Sequence, residues 1–593
     1  MPSRDGRFCE IDDAQTLLRE RWWLPAEYEL RGIINRGSFG VVIEVASPSG
    51  EMLAAKRVQL LAPPKNRSTN ALSSHAAKLL RRTLREIMVL RRLQALRHPH
   101  LARLVDAWTD VAVAEEDSAR KRIPAVYLLF ERLHAHPFLH GPLLSASSPA
   151  PAPALKDVGR LLGQALAGLH ALHTNRLLHR DLKPQNVLVT AEGIVRIIDF
   201  GMVRPMLPIV RPPSDGRLSS APAGLAPAAD GLDEAAPAEE APSPAESPSP
   251  PTRRYSSDAV TRQYRAPELL IRTILEGSKG DQPFAHAPAA AAASSLVVEP
   301  TTMRPSTLLL AQDEAIAGAA VDMWCIGCIM GEMLVRALAH SSRTKGGSGS
   351  DGDGDDSNTS VVAPPALMTP TEKQTEGVPL ALFPLHTPTT RRQQRSTTTD
   401  ATAAVAADCG SLDSALLQGA ATFGIADDND DEDLLDSCPN AHLASVLRVT
   451  GVPSEVLVDW RDAASDAVAT SDEIGCTDLA EFFHRLTPRP SMLAERFAPL
   501  GDPSACDLLT KLLHVDPRER ATCTEALRHP FIAANWEPQQ ALEVADEEAL
   551  LSAADRRSIN ALSEEAEKCT DLRRLVRLIR AEAEACGPVV ECN

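Results

Sequence analysis

The sequence predicts an α+β chain of two lobes, interrupted by long disordered insertions. Three observations predict it. Strand-like runs gather near the N-terminal end, helical periodicity dominates from Leu155 onward, and three stretches rich in small and polar residues break the pattern. From Tyr28 to Leu61, two apolar runs flank a glycine-containing turn. A second turn at Ser47–Gly50 precedes a strand ending near Lys56. Between Ala76 and Leu96, Leu79, Leu80, Leu84, Ile87, Val89 and Leu90 recur among arginines at helical spacing. Val126–Phe130 reads as a short buried strand. Near the C-terminal end, Leu572, Leu575, Val576, Leu578 and Ile579 predict an amphipathic helix packed on the core.

The insertions are 205–252, rich in Pro, Ala and Ser; 277–312, with an alanine run; and 339–440, rich in Gly, Ser, Thr and Asp. Such chain buries too little apolar surface to offset its ordering entropy and is expected to be disordered. The organisation expected is an N-terminal extension over 1–27, a strand-rich lobe over 28–135, a helical lobe over 136–533 carrying the insertions, and a helical tail over 534–593.

Net charge is −18 over 593 residues; 205–252 carries −5 of it and 339–440 carries −10. The remainder is nearly neutral. An acidic chain argues against general binding to nucleic acid or to an anionic membrane. Eleven cysteines without framework spacing point to a reducing compartment, cytoplasmic or nuclear. Cys325 and Cys328 lie in an apolar helix-like run with no second pair or His cluster, which favours buried thiols over a metal site. The first ten residues hold no apolar stretch of the signal-peptide kind. The longest apolar run, 321–339, carries Asp322, Glu332 and Arg336, so no membrane-spanning helix is expected.

The chemistry concentrates in a few runs. Asn35-Arg36-Gly37-Ser38-Phe39-Gly40-Val41-Val42 places a glycine turn between strands, where backbone N–H groups can approach phosphates without a Cβ in the way. Taken alone it equally suits a plain hairpin. Lys56 ends the strand Leu53-Ala54-Ala55-Lys56. A lysine there can reach phosphates if a carboxylate holds it, and the candidate is Glu86 on the following helix. His179-Arg180-Asp181-Leu182-Lys183-Pro184-Gln185-Asn186 is followed by Asp199-Phe200-Gly201 and later by Ala266-Pro267-Glu268. These fit H-R-D-L-x-x-x-N, D-F-G and A-P-E in the proper order, a highly specific combination.

With these motifs the chain resembles the eukaryotic serine/threonine protein kinases, over about Tyr28 to Phe531 with the insertions removed. The resemblance implies a bilobal kinase fold that uses ATP and Mg²⁺. Asn35, Gly37, Ser38, Gly40, Val42 and Ala54 would surround the nucleotide, and Phe130, Glu131 and Leu133 would form the gate and hinge that receive adenine. Lys56 would hold phosphates and be held by Glu86, Asn186 and Asp199 would bind Mg²⁺, Asp181 would accept the substrate proton, and Lys183 would neutralise the transferring phosphate.

Arg85-Glu86-Ile87, Gly451-Val452-Pro453 and Phe482-Phe483-His484 resemble the mitogen-activated kinases, towards which the reading leans. Lys183-Pro184-Gln185-Asn186 and Phe130-Glu131 resemble the cyclin-dependent kinases, the alternative. Arg85, Arg180 and Arg204 would converge on an activation-loop phosphate, because clustered arginines repel unless a dianion joins them. Counted back from Thr261, the acceptor would be Ser256, phosphorylated by an upstream kinase. Tyr264-Arg265-Ala266-Pro267-Glu268 implies substrates with Ser/Thr before Pro, with Thr261 and Arg265 in the substrate pocket. Asp546, Glu547 and Glu548 read first as a solvated helix face, with a docking patch for basic peptides, as in mitogen-activated kinases, the alternative. A catalytically dead scaffold would lack Lys56, Asp181, Asn186 or Asp199; all four are present.

Overall fold

A run of consecutive bulky residues, Trp22-Trp23-Leu24, starts the fold earlier than the sequence reading placed it. In the computed structural model, which describes residues 5–13, 18–37, 40–60, 69–110, 125–133, 135–137, 154–206, 260–277, 314–345, 441–470, 474–537 and 550–586, β1 (Gly6–Asp13) and β2 (Leu18–Pro25) form an antiparallel hairpin. The N-terminal extension is thus a structured cap. Trp22, Trp23 and Leu24 are buried with Tyr28 and Tyr127 on the outer face of the main sheet. Trp108 Nε1 donates to the Trp23 carbonyl at 3.2 Å, and the Tyr28 hydroxyl donates to Asp106 at 2.9 Å.

That sheet is antiparallel in the order β3-β4-β5-β7-β6. Its strands are β3 (Glu29–Gly37), β4 (Gly40–Ala46), β5 (Met52–Gln59), β6 (Leu104–Thr109) and β7 (Ala125–Glu131). Strand alternation decides what β5 presents. Leu53 and Ala55 are buried in the outer cluster, while Ala54 and Lys56 are only part-buried on the opposite face. β6 was not anticipated; its run Leu104–Thr109 has an acid at its centre, Asp106, which the fold buries.

Helix α1 (Thr69–Leu93) packs beneath the sheet, with Leu80, Leu84, Ile87 and Leu90 in the main core. Beyond it come β8 (Ala135–Pro137), α2 (Leu155–Thr174), β9 (Leu177–Leu178), β10 (Val187–Thr190), β11 (Val195–Ile197) and β12 (Arg204–Pro205). β12 pairs with β9, and β10 lies between β8 and β11. The helical lobe continues with α3 (Pro267–Gly277), α4 (Glu314–Lys345), α5 (Ala441–Thr450), α6 (Ser454–Thr470), α7 (Ile474–Arg485), α8 (Leu493–Phe497), α9 (Pro503–Leu512), α10 (Cys523–Arg528) and α11 (Pro530–Ala533). The tail supplies α12 (Ala553–Lys568) and α13 (Leu572–Glu584).

Three boundaries differ from expectation. Arg204–Pro205 is a strand rather than the start of an insertion, Gly277 closes α3, and α4 runs seven residues past the expected break at 339, to Lys345. Chain read as low complexity from Ala339 still contains helix-forming Ala, Arg and Lys residues, which suffices to extend an anchored helix. The rest of the three insertions lies outside the described residues. Within α4, Gly318–Leu338 is long and apolar enough to cross a membrane by length and composition, but it is the buried central helix of the lobe.

Candidate active site

Two elements bring Lys56 and Glu86 together. Lys56 leaves β5 on the face towards α1, and Glu86 leaves the third turn from the α1 C-terminus. Lys56 Nζ donates to Glu86 Oε1 at 2.6 Å, with Glu86 almost fully buried. A buried carboxylate of this kind persists only because a cation meets it. Gly37 and Gly40 pair directly and close the β3–β4 hairpin, with Asn35 opposite Val42 and Val42 opposite Lys56. Ser38 lies outside the described residues. Ala54 pairs with Phe130, and Leu53 with Glu131, so the hinge strand runs beside the lysine strand. Glu131 approaches Arg196 at 3.5 Å, and two residues on the Leu133 carbonyl accepts from Arg132 at 2.7 Å.

The catalytic loop follows β9. Asp181 is held from three sides: Asn186 Nδ2 donates to its carbonyl at 2.7 Å and its carboxylate at 3.2 Å, Lys183 Nζ donates to the carboxylate at 2.9 Å, and Thr261 Oγ1 donates to it at 2.8 Å. Lys183 also donates to Thr261 Oγ1 at 3.0 Å. The loop is anchored below by Asp322 of α4. Its buried carboxylate accepts the backbone N–H groups of His179 and Arg180 at 2.8 and 2.7 Å and meets His173 Nε2 at 3.0 Å. Burial pushes the Asp322 carboxyl up, but His173 and the backbone donors win and hold it below its ordinary range. Arg180 and Asp199 both have left-handed backbone, with φ of 65° and 64°, a conformation that costs energy outside glycine and concentrates at functional sites.

Asp199 faces Lys56 and Arg82. Arg82 Nη2 donates to its Oδ2 at 2.7 Å, a contact not anticipated from sequence. Burial pushes the Asp199 carboxyl up, while Lys56 and Arg82 hold it below its ordinary value, so it stands ionised. Gly201 allows this approach: a Cβ there would lie 2.5 Å from Arg82 Nε. Asp199 and Asn186 supply hard oxygen donors, the carboxylate and the amide oxygen left over when Asn186 Nδ2 donates to Asp181, and that set fits Mg²⁺.

Beside Thr261, Arg265 Nε donates to the Val260 carbonyl at 3.0 Å. Glu268 forms a buried two-pronged pair with Arg520 at 2.8 and 3.0 Å, and Arg520 also stacks over Trp324. Cys325 and Cys328 are buried free thiols that burial raises well above the ordinary range. Ser256 and Asp546–Glu548 lie outside the described residues. Of the three arginines expected to share a phosphate, Arg85 and Arg204 do converge, but on Glu567 of the tail. Arg85 Nη1 donates to Glu567 Oε1 at 2.8 Å, and Arg204 Nη1 donates to the same oxygen. The sequence carried no signal for Glu567, which is one acid among several on a helix. The cavity bounded by Thr450, Glu455, Arg489 and His514 shares no residue with this constellation.

A protein kinase domain model matches residues 28–210. Among curated proteins, cyclin-dependent kinase 4 of sheep (Ovis aries) is 37% identical over 181 residues, 30% of this chain and 53% of that protein. The same kinase of mouse (Mus musculus) is 37% identical over 179 residues, 30% of this chain and 52% of that protein. The chain therefore spans about half the length of the curated relatives it matches. The Lys56–Glu86 pair, the Asp181 loop and Asp199 thus assemble within the stretch that matches a protein kinase domain and is similar to cyclin-dependent kinase 4.

Proposed function

We propose that the chain transfers the terminal phosphoryl group of ATP to serine and threonine hydroxyls of proteins. The observation that carries this reading is the convergence of Lys183, Asn186 and Thr261 on the Asp181 carboxylate within the domain that also pairs Lys56 with Glu86. Phosphoryl transfer asks a protein mainly for positioning and charge neutralisation. Lys56, fixed by Glu86, holds the nucleotide phosphates. Asp181, aimed by its three donors, orients the substrate hydroxyl and takes its proton as the oxygen attacks the terminal phosphorus and ADP leaves. Lys183 offsets charge on the group in transit. Mg²⁺, held by Asp199 and Asn186, supplies charge neutralisation at the phosphates when bound.

The reading of substrates as Ser/Thr followed by Pro is supported by Arg265. Val260 immediately precedes Thr261, the residue bonded to Asp181, and its carbonyl is occupied by Arg265. A substrate residue whose N–H seeks that acceptor finds it engaged, whereas proline has no N–H to place. On subtype, the matched residues lie with the cyclin-dependent branch. Two of the three runs that resemble mitogen-activated kinases, at Gly451–Pro453 and Phe482–His484, lie beyond residue 210, while Arg85–Ile87 lies within the match. A separate cyclin-type subunit would have to share α1 with the chain's own tail, which favours a kinase that works without one.

One assay tests the reading. Purified full chain with ATP and Mg²⁺ should phosphorylate a Ser-Pro peptide faster than its Ser-Ala twin, and Asp181→Asn should cut turnover by about 10³-fold or more. Equal, background-level transfer by wild type and Asp181→Asn would mean that the fold is used for something other than catalysis.

A further inference from the structure

We propose that Glu567 is a positioning residue for phosphoryl transfer: its carboxylate joins Arg85 of α1 to Arg204 of β12, the role expected of an activation-loop phosphate, so that the tail holds the site assembled without phosphorylation. The proposal rests on the kinase reading above and names the regulation of the same site.

The geometry is a built receptor. One carboxylate oxygen, Glu567 Oε1, accepts from both guanidinium groups. Arg85 is almost fully buried, and its Nε also donates to the Gly201 carbonyl at 3.3 Å. The residue therefore touches the Asp-Phe-Gly turn directly, and its neighbour Glu86 is the partner of Lys56. The backbone around Glu567 is gripped on both sides by Arg81, whose Nε donates to the Ala566 carbonyl and whose Nη2 donates to the Cys569 carbonyl, each at 2.9 Å. Arg81 and Arg85 are four apart on α1 and so share one face. Farther along, Arg91 and Arg92 clamp Glu582 of α13, and Arg92 also reaches Ser558 of α12.

The charges demand an anion here. Burial first and nearby Arg204 second bring the Arg85 guanidinium down to about 9, with Glu567 opposing both. Burial pushes the Glu567 carboxyl up, yet Arg204, Arg85 and Arg81 hold it below its ordinary range. Without Glu567 the two arginines would face each other unscreened, and the nearest relief is a shift of α1 that carries Glu86 away from Lys56. A phosphate on Ser256 would have to displace Glu567 to reach the same pair.

The test compares full-length wild type, Glu567→Gln, Glu567→Asp and Ser256→Ala, with Asp181→Asn as the catalytic blank and mass spectrometry reporting phosphate at Ser256. Glu567→Gln should lower kcat at least about tenfold with the peptide KM within about threefold, because it disturbs the catalytic geometry and leaves the peptide surface alone. Glu567→Asp should recover most of that loss, and Ser256→Ala should retain the wild-type rate. Independently of activity, hydrogen exchange over Leu79–Arg92 should quicken by about fivefold or more in Glu567→Gln. If Glu567→Gln fails to fold, Arg204→Gln reads out the same link. Wild-type kcat in Glu567→Gln, or a loss in Ser256→Ala matching that of Glu567→Gln with phosphate present at Ser256 in the wild type, overturns the proposal. A wild type no more active than Asp181→Asn sinks the kinase reading instead, and exchange over α1 then decides the Glu567 link alone: faster exchange supports it and unchanged exchange overturns it.

Discussion

At the scale of single residues, the site is a set of charges that the fold forces to be neutralised in pairs, and one buried charge is left poorly matched. Glu332 of α4 accepts from the Tyr264 hydroxyl at 2.8 Å through Oε1, while its buried Oε2 has no hydrogen-bond partner among the described residues. Burial pushes this carboxyl up to about 7, against the Tyr264 hydrogen bond and Arg336. A folded-state value above the unfolded one means a contribution fully present below the ordinary carboxylate pKa and lost as pH rises through about 7. Glu332→Gln keeps the acceptor for Tyr264 and never ionises. Its stability relative to wild type should therefore rise from pH 5 to pH 8, by on the order of 2 kcal/mol. A pH-independent difference between the two melting curves would show that Glu332 is not the group that titrates. Residues of this kind divide what the sequence can reveal. Asp181, Asn186 and Asp199 were legible because their chemistry fixes spacing along the chain. Glu332, Arg82 and Glu567 were not, because their roles exist only once distant helices meet.

At the scale of elements, the two tail helices pack on α1. Helix α13 buries Leu575, Val576 and Ile579 and presents charged residues on its other side, as its periodicity foretold. Periodicity states that a face will be covered and is silent about the partner, so the packing of α13 on α1 and β6 could not be read in advance. The β1–β2 hairpin escaped for a related reason: its apolar residues Trp22, Trp23 and Leu24 are consecutive and mask the alternation that marks a strand. If the tail is part of the core rather than an appendage, truncating a fully buried side chain in α13 should behave as a core mutation. Ile579→Ala should cost about 2–4 kcal/mol and lower turnover with it, while Val458→Ala, at an exposed position of α6, should stay within about 0.5 kcal/mol. Equal denaturation midpoints for the two variants would place the tail outside the cooperative unit.

At the scale of the whole molecule, length and charge are distributed very unevenly between fold and connections. The α4 helix ends at Lys345 and α5 begins at Ala441, and both are anchored in one continuous core that also takes in Ile559, Leu575 and Ile579 of the tail. Composition alone reads the chain between them as a connection, since it is poor in the apolar residues that a core would need. Replacing 350–436 with a Gly/Ser linker of about a dozen residues should therefore leave the fold intact. Loop-closure entropy grows only logarithmically with length, so the shorter connection should stabilise the protein by roughly 1 kcal/mol and not more. The replacement also removes sixteen acids and four bases, which takes away most of the net charge of −18. Turnover on a neutral Ser-Pro peptide should not change, because Lys56, Asp181, Lys183 and Asp199 are positioned by Glu86, Asn186, Thr261 and Arg82. A loss of more than about 1 kcal/mol, against the gain that loop closure dictates, would assign part of 350–436 to the folded unit and make the acidic segment a structural element of the helical lobe.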